Sequence, residues 1–358
     1  MFSPRHLTPL TLVSLWLTLL LLAACQVPLP PATDVPPAAA SDPTPAPAPG
    51  KLVMYSGRNE NLVGPLIAQY SQEKGVEIEV RYADTAELAA TILEEGRNSP
   101  ADLFFAQDAG ALGALSAAGV LAPLPADILD QVPAALRGRN GDWVGLSGRA
   151  RVLVYNTHLV QPQALPVDIW ALTGPEWQGK VGWAPTNGSF QAFVTALRLL
   201  EGEERARAWL EAMLANNVQP YSNNTSIVEA VSRGEIMVGL VNHYYLLRFL
   251  NEQGESFPAR NYFFPGGGAG AMINVAGAGV LTTSTNQAAA LDLLRFLLSQ
   301  PAQTYFAANT NEYPLLAGIP LHPTLAPLSD LATPDLDLSE LSDLQGTLEL
   351  LQDVGALF

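Results

Sequence analysis

From Lys51 onward the chain alternates short apolar runs with segments of helical period, and this alternation constrains the fold more than any other feature. Leu52-Val53-Met54-Tyr55 reads as a strand. Glu60 to Lys74 reads as a helix with Leu62, Leu66, Ile67 and Tyr70 on one face. Val76 to Tyr82 alternates as a strand, Thr85 to Gly96 is helical, and Asp102 to Phe105 is a buried strand. Further strands are expected at Arg151 to Tyr155, Val181 to Ala184 and Ile236 to Val241. Helices are expected at Gln191 to Leu200, Glu203 to Leu214 and Tyr244 to Leu250. Another runs over Ser226 to Arg233, with Asn224-Thr225 as its cap. Strand and helix in this order give βαβ units and an α/β fold with mixed, mostly parallel sheets. In the Leu- and Asp-rich tail, Leu338 to Leu351 reads as one amphipathic helix.

What precedes Lys51 is an address. Arg5 and His6 stand before an apolar run from Leu10 to Leu22, which ends in Leu22-Ala23-Ala24-Cys25. The run is short and early, as in a secretory signal. Leu-Ala-Ala-Cys after such a core resembles a bacterial lipobox, so Cys25 is the expected lipidated first residue of the mature protein. It is the only cysteine in the chain, so no intrachain disulfide is available and the core alone must hold the fold. Gln26 to Gly50 is dominated by Pro and Ala and has no aromatic residue, which suits an extended linker. At about 3.1 Å per residue it spans several tens of Å.

The roughly 300 residues that follow exceed one comfortable core and point to two domains. The formal charge of −16 argues against a nucleic-acid partner, which would call for basic patches. Four turns each follow a strand and precede a helix: Ser56 to Asn59, Ala106 to Asp108, Pro185 to Ser189, and Asn242 to Tyr245. In open α/β sheets ligands bind at the carboxyl ends of strands, so these turns are candidates to line one cleft. Pro185 to Ser189 offers N–H groups and hydroxyls at a helix start, either an anion cradle or an ordinary capping turn. Tyr244 and Tyr245 begin a helix. Neighbouring residues do not share a helix face, but in the turn before it two phenols can converge. The helix N-terminus favours their phenolate form, and paired phenolates suit a hard cation such as Fe3+. Two aromatic rings wedged between sheet and helix are the alternative.

Several segments together resemble the ferric-iron-binding proteins of bacterial ABC transporters, a branch of the type II periplasmic binding proteins. They are Tyr55 to Arg58, Ser99 to Phe104, Trp143 to Arg151, Pro185 to Phe190, Asn242 to Tyr245, and Glu312-Tyr313-Pro314, in the same order. The resemblance implies two α/β lobes with the ligand between them, the N-lobe from residues 51–148 plus about 275–325 and the C-lobe from about 149–274. Residues from about 326 to 358 would form a helical tail. It implies Tyr244 and Tyr245 as Fe3+ ligands. Thr186, Asn187, Gly188 and Ser189 match the cradle of a synergistic anion, carbonate or phosphate, with Asn224 and Asn242 helping to hold it. Arg149 and Arg151 match arginines near the cleft. A membrane permease is the implied partner, the receptor is expected to be a monomer, and no catalysis is implied.

The chain departs from the family where one branch has a histidine ligand and a glutamate ligand; it has Asn59 and Gln107 there. Another branch has an extra tyrosine where this chain has Phe190. Two phenolates leave a ferric ion with one net positive charge, so the shell needs more oxygen ligands. Glu60 and Asp108, each one residue beyond a missing ligand, are candidates. An exogenous anion held by Arg58 or Arg149 is favoured for most of the shell. His243 reads as a turn residue rather than a ligand. The rival readings keep the fold but change the ligand to a phosphonate, sulfate, organic anion or polyamine, or have the protein present its ligand to a sensor kinase. A hydrolase is disfavoured, because Ser147-Gly148 and Gly188-Ser189 lack a nucleophile-elbow pattern.

Overall fold

The computed structural model describes residues 51–357. The expected signal, Cys25 and the linker lie outside the described residues. The elements run β1 (Leu52–Ser56), α1 (Glu60–Lys74), β2 (Ile78–Tyr82), α2 (Thr85–Glu95), β3 (Leu103–Ala106), α3 (Ala109–Ala117), α4 (Ala126–Leu129) and β4 (Val144–Asn156). Then come β5 (Val181–Trp183), α5 (Gly188–Glu201), α6 (Glu203–Ala215), β6 (Gln219–Pro220), α7 (Asn224–Arg233), β7 (Val238–Asn242) and α8 (Tyr244–Gln253). β8 (Ala259–Tyr262), β9 (Ile273–Val280), α9 (Gln287–Leu297), α10 (Gln300–Tyr305), β10 (Tyr313–Pro314) and α11 (Leu344–Asp353) complete the chain.

The strands lie in the order β2-β1-β3-β9-β4-β7-β5-β6, with β8 and β10 also paired to β4. β1 pairs in parallel with β2 and β3, and β5 in parallel with β6 and β7, as βαβ connections require. Between these parallel groups stand two antiparallel strands. β9 pairs with β3 and with the first half of β4. The second half of β4 pairs with β7 and β8 instead. The 13-residue β4 therefore carries the chain from one sheet region to the other, changing partners between Ala150 and Arg151. The sheet is more evenly mixed than the sequence pattern suggests, because these two long antiparallel strands join the two parallel sets.

β4 extends well before the expected Arg151 to Tyr155. Ser147, Arg149 and Arg151 interrupt its apolar pattern, yet all three are buried. β9 leaves a weak sequence pattern because Gly277 and Gly279 dilute it. Both are needed as glycines: a Cβ at Gly277 would come 2.7 Å from the Val144 carbonyl oxygen, and at Gly279 2.9 Å from that of Asp142. The tail is not one helix. Leu338–Ser342 is a 3₁₀ turn and α11 starts after it, because Asp343 turns its carboxylate back to accept from the Gly346 N–H at 3.0 Å. The 3₁₀ turn lies on α3, where Cβ atoms at Gly110 and Gly113 would meet the carbonyl oxygens of Leu341 and Ser339 at 2.5 and 2.1 Å. α11 lies on α5, with Thr195 and Thr347 hydroxyls 2.7 Å apart and Arg198 on Asp343 at 2.9 Å. No helix among the described residues is long and apolar enough to cross a membrane.

Candidate metal centre

β7 delivers the chain to His243, whose backbone is already helical at φ −57° and ψ −38°. Its main chain donates to the Ala150 carbonyl at 3.0 Å, which ties the turn to β4. Its ring is fully buried and fixes the same joint. Nδ1 accepts from the Ala150 N–H at 3.1 Å. Nε2 must then carry the ring proton and donate it to the Asn311 carbonyl at 2.9 Å. Burial lowers its pKa to about 4, which keeps the ring neutral. With both nitrogens used, His243 orients the turn.

Tyr244 is therefore the first residue of α8, and Leu246 and Leu247 bury the next turn. At this position the two phenols do converge. Their rings stack with centroids 4.4 Å apart and planes inclined by 28°. Both rings are partly exposed. Burial pushes the Tyr244 phenol pKa upward, Tyr245 adds to the shift and Arg149 opposes it. A phenolate here needs positive charge nearby, and the surroundings provide it.

Arg151, on β4, is 2% exposed and lies against the faces of Phe190 and Phe193, 5.5 and 5.2 Å from their centroids. Nη2 donates to the Leu240 carbonyl at 3.1 Å, while Nε and Nη1 have no partner. Burial lowers its pKa to about 9, and Tyr245 and Tyr244 pull it back up. Arg149, 3% exposed, donates from Nη2 to the Gln107 carbonyl, and its Nε is also unpartnered. Two buried guanidiniums with unpaired N–H groups beside two phenols call for an anion, since each unpaired charged donor costs a few kcal/mol in a dry site.

A cavity of about 40 Å³ opens at this place. Arg149, Arg151, Gln107, Asp108, Ser189 and Asn242 line it, together with the backbone at Gly188. Tyr244 and Tyr245 are outside this lining and couple to it through the two arginines. The anion loop is built as a cap: the Asn187 side-chain oxygen accepts from the Ser189 N–H at 3.1 Å and the Ser189 hydroxyl at 2.6 Å. Asn224 does not cap α7; Asn223 does. Asn224 is 1% exposed and donates to the Asn187 side-chain oxygen at 3.0 Å. A Cβ on Gly188 would meet nothing within 4 Å. The protein itself does not require glycine there, and the bare backbone leaves room for a ligand at the helix N-terminus.

The other candidates are placed differently. Arg58 is 2% exposed and bound to Glu312 at 2.8 Å, away from the cavity lining. Asn59 is exposed and spends its side-chain oxygen on the Asn61 N–H at 2.9 Å, capping α1. Glu60 is exposed in the first turn of that helix, and Thr186 is exposed. Asp108 caps α3 through the Ala111 N–H at 3.4 Å while lining the cavity. Among the described residues no three His, Cys, Asp or Glu side chains converge in a way that could hold a metal. Sequence reasoning placed Glu312 in a segment that matches the family but gave it no role, and it missed the aromatic bed of Arg151. Both depend on contacts between distant segments and leave no local signal.

Residues 65–333 match the family described as bacterial extracellular solute-binding protein. The Fe(3+)-binding periplasmic protein of Serratia marcescens is 32% identical over 308 residues, covering 86% of this chain and 90% of that one. Iron-bound HitA from Pseudomonas aeruginosa superposes with a TM-score of 0.79 at 33% identity, covering 86% of this chain and all of HitA. The Trichodesmium protein IdiA (FutA), solved with iron and citrate ligands, gives 0.76 at 30% identity over 86% of this chain and 99% of that one. With this fold, this order of motifs and these relatives, the chain belongs to the ferric-iron-binding branch of the bacterial extracellular solute-binding proteins, a family of type II periplasmic binding proteins and not of enzymes.

Proposed function

We propose that this chain is an exported receptor that captures Fe3+ together with a synergistic anion and hands it to an ABC permease. The observation that carries the reading is the stacked Tyr244–Tyr245 pair beside two buried arginines with unpaired N–H groups. The phenols supply two anionic oxygens to the ferric ion. Arg149 and Arg151 supply the field that favours their ionised form and the donors that an anion completing the shell requires. The N-terminus of α5, with Asn187, Gly188 and Ser189 braced by Asn224, receives that anion, carbonate or phosphate. Asn242, Gln107 and Asp108 face the same space and complete the polar lining. Arg58 serves Glu312 in this reading, and Asn59 and Glu60 serve α1.

Capture is a population shift. The loaded site binds metal and anion better when the lobes close on it, so loading favours the closed form. The N-lobe comprises residues 51–148 plus about 275–325 and the C-lobe about 149–274, with β4 and β9 as the connecting strands. Opening at the permease releases the ion. Cys25 carries the lipid that tethers a monomeric receptor to the membrane. The test is elemental and mass-spectrometric analysis of protein purified with its ligand. Stoichiometric iron with a small anion is the expected result; a metal-free organic ligand overturns the reading.

A further inference from the structure

Three arginines are buried in this region: Arg149 at 3% and Arg151 at 2% exposure line the cavity, and Arg58 at 2% lies outside its lining. The carboxylate buried among them is Glu312, also 2% exposed, on the segment that joins α10 to β10. Its two oxygens are treated differently. Oε2 accepts from Arg58 Nη2 at 2.8 Å, from the Ser147 hydroxyl at 3.0 Å and from the Thr310 hydroxyl at 3.0 Å. Oε1 faces Arg149 Nε at 3.9 Å, beyond hydrogen-bond reach, and that Nε has no other partner. Three donors thus anchor the carboxylate on the Arg58 side and hold it back from Arg149. Both arginines keep an unpartnered Nε, but Arg58 is ion-paired to the carboxylate at hydrogen-bond distance, whereas Arg149 is only partly neutralised and is the one that lines the cavity.

We infer that Glu312 is a specificity-determining residue of the anion site, a resident carboxylate that sets how much positive charge Arg149 offers to an incoming anion. The inference rests on the reading of Arg149 as an anion holder. An anion at Arg149 shares that guanidinium with Glu312 and is repelled by it. The repulsion scales with the anion's charge, so Glu312 disfavours highly charged anions more than singly charged ones. Because the group is buried, bulk salt screens this effect little.

The test is calorimetric titration of the apo protein at pH 8 with inorganic phosphate and with bicarbonate. Glu312→Gln keeps the size of the side chain and one acceptor oxygen for the three anchoring donors, and removes the charge. It should tighten phosphate by roughly tenfold or more, and bicarbonate by less, because the repulsion scales with the anion's charge. Thr310→Val removes one anchor of Oε2, lets the carboxylate move toward Arg149, and should weaken phosphate; it supplies the readout if Glu312→Gln does not fold. Arg149→Gln separates the two readings. If Arg149→Gln abolishes phosphate binding while Glu312→Gln and Thr310→Val leave it unchanged, the role of Glu312 is overturned. If Arg149→Gln also leaves it unchanged, Arg149 holds no anion and the inference falls with that reading.

Discussion

Lowering the pH should unfasten this domain through one side chain, His243. Its ring is fully buried and neutral, with a pKa of about 4 in the fold against an ordinary value of 6.5. Between those values the unfolded chain binds a proton that the folded chain refuses. Stability contributed by this group is therefore complete above pH 6.5 and is lost as pH falls toward 4. The slope between the two pKa values is about 1.4 kcal/mol for each step of one in pH, and the total over that interval is about 3 kcal/mol. The assay is urea unfolding of the apo protein at intervals from pH 7.5 to 4.5, beside His243→Gln. Carboxylates titrate in part of this window too, but they contribute equally to both proteins. The gap in stability between wild type and variant should narrow by about 2–3 kcal/mol over this range. A gap that stays constant with pH would refute the account of a neutral ring clamped between Ala150 and Asn311.

Asn224→Ala should cost about 1–2 kcal/mol, read by thermal unfolding, because the Asn187 side-chain oxygen loses a buried donor. The same variant should weaken phosphate binding, since the cradle it braces loosens. Gly113→Val should displace the 3₁₀ turn at Leu338–Ser342, because a Cβ there would lie 2.1 Å from the Ser339 carbonyl oxygen. The expected signature is faster proteolytic removal of the tail, with a stability loss of about 1–3 kcal/mol.

The alternation of strand and helix was legible because each βαβ unit carries its own periodicity, and helix ends at Gly75 and Gly234 sit in the left-handed conformation that glycine accommodates. β4 and β9 were poorly legible for opposite reasons. In β4 the buried arginines Arg149 and Arg151 break the apolar run; in β9 close backbone approach demands glycines. Tyr244 and Tyr245 stood out because two adjacent phenols at a strand-to-helix turn can converge, although packed aromatic rings would leave the same local pattern. The roles of Arg58 and Asn59 were not legible. Arg58 is taken by Glu312, which lies 254 residues away in sequence. Asn59 is taken by a local cap, which any loop asparagine before a helix can make. Local patterns thus pointed to candidate residues, while the charge balance around them depends on contacts that only the folded chain creates.

Tyr244 and Tyr245 are proposed to bind ferric iron as phenolates. Visible absorption of the apo protein during titration with a ferric chelate tests it directly. A phenolate-to-iron charge-transfer band should appear at one equivalent and disappear in the Tyr244→Phe/Tyr245→Phe double variant while the fold survives. A well-folded wild-type protein that shows no band, or a band that persists in the double variant, would contradict it.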